Sequence, residues 1–240
     1  MKKFTAFLTV LLLATGSSLM GQSLDEVLNE HFAAIGQENQ LKVNSARMTG
    51  KMLQSGIEIP FVQMIKRPKK VRVEATFQDL TLIQTFNGEE GWSVNPFAGI
   101  TEPQPMSADE VRSMHYTADM DGMLWEYADK GYTVTLEGSE DMEGTMCHVV
   151  KLVTDTGDTF TYYIDSDSYI ILRTNNKVMM MGNEAETDTY QSNYSMVDGI
   201  AVPGKIETKM QGQVVMTLVV DKAEFNPELD DALFEKPVTQ

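Results

Sequence analysis

Cysteine and histidine are both scarce in this chain of 240 residues. Cys147 is the only cysteine, so no disulfide can form within the chain. The three histidines, His31, His115 and His148, do not have the spacing of a zinc-binding motif, and no G-x-S-x-G nucleophile elbow occurs. Cys147 and His148 are neighbours in a strand pattern and would point to opposite faces. These absences argue against nucleophilic and metal-dependent catalysis, and we expect no enzyme activity, no catalytic residue, no metal and no cofactor.

Positive charge is also in short supply. The chain has 19 Lys and Arg against 35 Asp and Glu, which gives a formal net charge of −16. A chain this acidic repels nucleic acid and anionic membrane surfaces. Outside the first 22 residues there is no apolar run of membrane-spanning length and no linker rich in Pro, Gly or Ser. We therefore expect one domain over residues 23–240, acting as a monomer without nucleic acid.

The first 22 residues have the pattern of a secretory signal peptide. Lys2 and Lys3 precede an apolar stretch at residues 4–14, and small or polar residues follow as far as Gly21. The stretch of about 11 residues is shorter than the ~20 that a membrane helix needs. No cysteine follows it that could carry a lipid anchor. Residues 1–22 are predicted to be removed, which takes the formal charge from −16 to −18.

Two capping boxes predict helices. Ser23 and Glu26 open an amphipathic helix at the mature N-terminus, and Ser107 and Glu110 open a second helix within an insertion. A further short helical turn is expected within residues 119–127. These helices have apolar stripes that need a surface to cover.

The rest of the chain has the pattern of an antiparallel sheet with short turns. Residues 96–105, with three prolines, are predicted to be a loop. The predicted strands are residues 43–53, 57–65, 69–77, 80–86, 90–94, 132–136, 145–153, 160–164, 170–181, 187–196, 200–210 and 213–225. A sheet of about 11 or 12 strands must curl. The fold predicted is mainly β: an incomplete, half-open antiparallel barrel with an N-terminal helix and a helical lid over its concave side.

Methionine is abundant, with 17 residues. Its soft, unbranched side chain fills irregular cores and also lines adaptable binding surfaces, so filler and a deformable apolar cavity both stay open. The acidic turn at residues 165–168 lacks the glycine and the glutamate of a calcium-binding loop and is interpreted as a hairpin turn. Asp119 and Asp121 are likewise interpreted as a solvated turn.

Several short motifs occur in an order that resembles the periplasmic outer-membrane lipoprotein-sorting and carrier family, which has the LolA/LolB-like fold. They are the turn Lys66-Arg67-Pro68, the strand end and turn at residues 86–88, the tryptophan- and proline-containing element at residues 91–97, and a closing turn at residues 231–237. The likeness spans residues 23–237 and is greatest to the Bacteroidota-type members.

The resemblance implies a periplasmic carrier that holds the acyl chains of lipoproteins in a hydrophobic cavity. Its implied partners are acylated lipoproteins or lipid, an inner-membrane release protein and an outer-membrane acceptor. It also implies that Arg67 hydrogen-bonds to the lid and holds it closed until cargo arrives. A guanidinium offers five donors in a fixed fork, which suits that role. From its sequence neighbours alone, Arg67 would be an ordinary solvated turn residue.

The candidate ligand-binding residues are Arg67 and an apolar set from the strands and the lid. The set consists of Val71, Val73, Phe77, Leu82, Phe86, Trp92, Met114 and Leu124, and each could equally be packed core. Two other functions stay open. One is a lipid- or lipoprotein-sensing or lipid-binding module with a regulatory partner, and the other is a hydrolase with no nucleophile yet identified.

Overall fold

The computed structural model describes residues 22–180 and 182–238. The predicted signal peptide lies outside these residues, apart from Gln22. Within the described part, no helix is both long enough and apolar enough to cross a membrane.

The described chain is mostly strand. The helices are α1 Leu24–Ile35, α2 Gln37–Gln40 and α3 Ala108–Thr117, with the 3-10 helices η1 Pro96–Ala98 and η2 Asp231–Phe234. The strands are β1 Ser45–Gln54, β2 Ile57–Lys66, β3 Lys70–Phe77, β4 Leu80–Phe86, β5 Gly91–Asn95, β6 Ile100–Pro105, β7 Thr133–Met142, β8 Thr145–Val153, β9 Thr159–Asp165, β10 Ile171–Met180, β11 Asn183–Ser192, β12 Ser195–Val197, β13 Ile200–Val202, β14 Lys205–Met210 and β15 Gln213–Phe225.

Thirteen strands form one antiparallel sheet in the order β6-β5-β4-β3-β2-β1-β15-β14-β11-β10-β9-β8-β7, and β12 and β13 form a separate hairpin. Among the described residues β6 and β7 do not pair with each other, so the sheet stays open between them. The prediction of a mainly β, half-open antiparallel barrel is confirmed, with more strands than expected.

Some predicted elements differ from the structure. Residues 96–105, predicted to be a loop, include β6, an edge strand in which Pro103 and Pro105 need not donate to a further neighbour. The helical turn expected within residues 119–127 is a series of turns, with Gly122 at φ 80° and Glu126 at φ 48°. The strand predicted at residues 200–210 is divided at Pro203 and Gly204 into β13 and β14.

The strand order gives the sheet two distinct ends. The hairpin turns of β1–β2, β3–β4, β5–β6, β8–β9, β10–β11 and β14–β15 all lie at one end, here called the tip end. The turn between β2 and β3, which contains Arg67, lies at the other end, here called the latch end. This alternation follows because neighbouring strands run in opposite directions.

The two faces of the sheet are covered by different parts of the chain. On the inner face, Val71 and Phe86 pack against Ala118 at the end of α3. On the outer face, Met64 packs against Leu229 and Phe234 of the C-terminal segment. A third cluster joins α1 to β8 and β9.

Candidate functional site

Residues 107–131, called the lid below, join the edge strand β6 to the edge strand β7 across the inner face. Both hydrogen bonds of the capping box that begins α3 are present: the Glu110 amide donates to Ser107 Oγ (3.3 Å) and the Ser107 amide to Glu110 Oε2 (2.8 Å). The turns after α3 are held by Lys130, whose Nζ donates to Asp119 Oδ2 and to the Gly122 carbonyl, both at 2.7 Å. The sequence therefore specifies the lid as one folded unit.

Arg67 contacts this lid. Its Nη1 donates to Asp121 Oδ2 (2.8 Å), Nη2 also contacts Asp121 Oδ1, and Nε donates to the Val43 carbonyl (2.7 Å). The two parallel bonds to one carboxylate use the fork geometry that only arginine offers. The structure thus places Arg67 against the predicted lid region, through Asp121, and this pair is called the latch below. That it controls opening stays a prediction.

The latch is electrostatically favourable and extends to α2. The hydrogen bond from Arg67 lowers the pKa of Asp121, and Asp121 in turn raises the pKa of Arg67. Gln37 Nε2 donates to the Asp121 carbonyl (2.9 Å), and Gln40 donates to the Met120 carbonyl. The turn at residues 119–121 is therefore bound by four side chains, those of Arg67, Gln37, Gln40 and Lys130, whereas the sequence pattern suggested that it was solvated.

A second ion pair fastens the lid at the tip end. Arg112 of α3 donates through Nε to Asp158 Oδ2 (2.8 Å) in the β8–β9 turn and contacts the Met179 carbonyl of β10. Asp158 also accepts from the Tyr116 hydroxyl (2.8 Å) and from the Met179 amide (3.0 Å). Its side chain is only 1% exposed. The Arg112–Asp158 pair is called the clasp below. Its carboxylate is buried and accepts hydrogen bonds from donors on both the lid and the sheet.

Between the lid and the inner face lies an apolar cavity of about 420 Å³. It is formed by strands β1 to β4 and β15, with α3 and η1 above them. Three of the predicted residues, Val73, Leu82 and Met114, line it together with Met52 and Met216. The volume falls within the ~300–1,000 Å³ range of small-molecule sites. The cavity is suited to an apolar chain, because apolar side chains dominate its lining.

Other predicted residues lie elsewhere. Val71 and Phe86 are fully buried in the packing between sheet and lid, and neither lines the cavity. Phe77 is half-buried on the inner face at the tip end, also outside the lining. Leu124 is 4% exposed and belongs to the α1 cluster and to a second cavity of about 260 Å³ beside the latch.

Trp92 is on the wrong face for a cavity residue. It pairs with Thr85, Thr85 pairs with Arg72, and Arg72 pairs with Met64. Directly paired residues point to the same face, so Trp92 shares the outer face with Met64, which packs on Phe234. The expectation that Trp92 is a ligand-binding residue of the cavity is corrected, because Gly91 and Ser93 occupy the inner face of β5 instead.

Both interpretations of the methionines apply to individual residues. Met52, Met114 and Met216 line the cavity, whereas Met64 is packed core on the outer face. The acidic turn at residues 165–168 is a hairpin turn in which Asp165 accepts from the amide of Asp167 (2.9 Å). Across residues 22–180 and 182–238, no group of three or more His, Cys, Asp or Glu could hold a metal ion.

Sequence patterns missed the partners of Arg67 and Arg112, the two arginines that hold the lid. Asp121 and Asp158 stand in acidic turns that look like any solvated turn, and Asp158 is 46 residues from Arg112. One signal was available: the sequence has only five arginines, and Arg112 is the one that falls in the lid helix. A scarce bidentate donor on an otherwise amphipathic helix predicts a specific acidic partner.

No protein-family model matches the chain, and a search of curated proteins finds no relative. Solved structures do share its fold. A LolA superfamily protein from Nitrosomonas europaea superposes with a TM-score of 0.61 at 12% identity, covering 90% of this chain and 99% of that one. A DUF1329 family protein from Desulfovibrio piger gives 0.59 at 12% identity, covering 87% and 97%.

A third structure, a putative outer membrane lipoprotein-sorting protein domain from Vibrio parahaemolyticus, gives a TM-score of 0.56 at 12% identity, covering 87% of this chain and 94% of that one. The chain therefore has a LolA-like fold, which confirms the fold implied by the motifs at residues 66–68 and 86–97. The likeness to Bacteroidota-type members stays a prediction.

Proposed function

We propose that the mature chain is a periplasmic carrier that binds the acyl chains of lipoproteins in its cavity and helps to deliver them to the outer membrane. The observation that carries the proposal is the apolar cavity beneath a lid fastened at both ends of the sheet. The signal-peptide pattern at residues 1–22 supports export. The fold shared with a structure named for outer membrane lipoprotein sorting supports the cargo class.

The energetics allow cargo to open the lid. The latch is a partly exposed pair, with side chains 27% and 24% exposed, and such pairs contribute ~0–1 kcal/mol. An acyl chain gains ~0.8 kcal/mol for each buried CH₂ group. A few methylene groups therefore offset the latch, so a protein that is closed when empty can open around its cargo.

Delivery requires partners on both sides. A protein at the inner membrane would load the carrier, and an acceptor at the outer membrane would take the acyl chains. The carrier would release them where the acceptor offers a larger apolar surface, since the transfer then costs no exposure of the chains to water. A sensing module would instead form a lasting complex with a regulatory protein.

Native mass spectrometry tests the proposal on residues 23–240 purified from the periplasm of a diderm host. Bound lipid or lipoprotein should be detected on the wild type and lost in Leu82→Gln, which puts an amide into the cavity. Ile83→Gln is the matched control, because Ile83 is the next residue of β4 and faces the opposite side. A wild type free of lipid, even with Arg67→Leu, would count against the carrier. Equal occupancy of the two β4 variants would place the lipid elsewhere.

Delivery is tested separately. The loaded wild type should lose its lipoprotein to outer-membrane vesicles and should not lose it to buffer. Retention of cargo in a stable complex with a membrane-anchored regulator would favour the sensing module.

A further inference from the structure

The tip end carries an unusual concentration of exposed apolar side chains. Nine of the thirteen large apolar residues that are exposed in the described chain lie at or beside its hairpin turns. They are Ile57, Leu80, Phe97, Ile100, Met179, Met180, Met210, Val214 and Val215, with exposed fractions of 39–53%. They come from five separate hairpins, and we call them together the apolar rim.

The same turns are almost free of charge. In residues 54–57, 77–80, 96–100, 179–183 and 210–214 the only charged residue is Asp79. The latch end is different: residues 66–70 carry three lysines and an arginine, and residues 87–90 carry two glutamates. The sixth turn of the tip end, between β8 and β9, does carry charge, at Asp155 and at Asp158, and Asp158 is buried in the clasp. In a chain with a formal charge of −16, five nearly uncharged turns lower the cost of removing this part of the tip end from water.

The rim also adjoins the cavity. Phe97 belongs to both the rim and the lining, and the lining includes Met52 and Gln54 at the end of β1. Gln54 pairs with Ile57 of the rim. A chain that leaves the cavity at this end would meet whatever surface the rim touches.

We propose that the apolar rim docks on the surface of an electrically neutral lipid bilayer. The side chains project from separate hairpin tips, and a fluid surface accommodates such spaced projections without the close shape complementarity that a protein interface needs. The absence of lysine and arginine from the five turns removes any attraction to anionic headgroups, so zwitterionic lipid is the matching surface. Docking goes beyond the proposed carrier function, because it does not depend on cargo.

The test is co-sedimentation of residues 23–240 with phosphatidylcholine vesicles. The wild type should bind. The double variant Leu80→Gln/Met210→Gln should bind at least about tenfold more weakly, because two apolar side chains no longer leave water on binding. Neither residue lines the cavity. Met146→Gln/Met196→Gln is the control, since these residues are as exposed (48% and 60%) but lie away from the tip end, and it should bind as the wild type does. Binding should weaken when phosphatidylglycerol is added and should recover with salt.

Three results would overturn the proposal. One is a wild type that stays in the supernatant at every lipid concentration, and another is equal binding by the rim and control variants. The third is self-association that the rim variant abolishes without any vesicle binding, which would make a second copy the occupant. Native mass spectra of the wild type keep the two claims apart: a wild type that carries bound lipid or lipoprotein but does not bind vesicles refutes docking alone, and a wild type that binds vesicles but carries no lipid refutes the carrier alone.

Discussion

At the residue scale, Arg67 has a role that depends on the shape of its side chain as well as its charge. It donates to both carboxylate oxygens of Asp121 and to the Val43 carbonyl. The bond to Val43, which lies just before β1, holds the guanidinium to a part of the chain outside the lid. Lysine would keep the charge but could not make the paired bonds. Replacement at this residue should therefore loosen the lid locally while the sheet stays folded.

We predict that Arg67→Met speeds amide hydrogen exchange at residues 119–123, since their turn loses its attachment to the β2–β3 turn. Arg67→Lys should have an intermediate effect. Arg173→Met is the control, because Arg173 pairs with Asp188 within the sheet (2.7 Å) and loses an ion pair of similar exposure. Exchange in the 119–123 turn that rises equally in the control would show that the latch has no specific effect.

The lowered pKa of Asp121 gives the latch a defined pH range. Because the folded-state pKa lies below the ordinary value of 3.8, the pair contributes stability above 3.8, and that stability is lost as pH falls through the lowered pKa. In a Trp92→Phe background, Trp125 of the lid is the only tryptophan, and it packs edge-on against Phe32 with ring centroids 5.0 Å apart. Its emission should be constant from about pH 5 to about pH 8 and should change below 3.8. Asp121→Asn should remove that transition; a transition that persists unchanged would contradict the assignment to Asp121.

At the element scale, the lid is attached by two ion pairs of different burial. The latch is partly exposed, whereas the carboxylate of the clasp is buried and has three donors, on Arg112, Tyr116 and Met179. A buried acceptor that loses its partner pays a desolvation cost that a surface group avoids. The clasp should therefore contribute more to stability, and the latch should be the attachment that opens first.

We predict that Arg112→Met lowers the free energy of unfolding by about 1–3 kcal/mol, because it leaves Asp158 underpaired in a buried position. Arg67→Met should lower it by only ~0–1 kcal/mol. Urea unfolding of the two variants, with the double variant as a check on additivity, measures the difference. A larger loss for Arg67→Met would reverse the order of the two attachments.

Local chemistry in the sequence predicted the helix starts and the short turns, whereas the contact of Arg67 with the lid region was implied only by the family resemblance. The capping boxes at Ser23 and Ser107 depend only on residues three apart, so sequence shows them directly. The face of Trp92 and the edge strand β6 were not predictable, because both depend on which strand pairs with which. The partner of Arg112 was not predictable either, because the β8–β9 turn reaches α3 only after the whole sheet has formed.

At the scale of the whole molecule, function and charge are distributed between two ends. The latch end is rich in charge and fastens the lid through Arg67, while the tip end holds the clasp and the five nearly uncharged turns of the apolar rim. Among the described residues β6 and β7 do not pair, and the lid joins these two strands, so we expect that the lid can move without breaking the sheet. The proposed carrier function therefore depends on one claim, that an acyl chain occupies the inner-face cavity under the lid.

The most direct measurement of that claim is crosslinking from neighbouring residues of one strand. A photo-crosslinking amino acid in place of Leu82 faces the cavity, and the same amino acid in place of Ile83 faces the opposite side of the sheet. After irradiation of intact cells, the account predicts a covalent adduct with an acylated lipoprotein from position 82 and none from position 83. Adducts from position 83 alone, or from neither position, would contradict it.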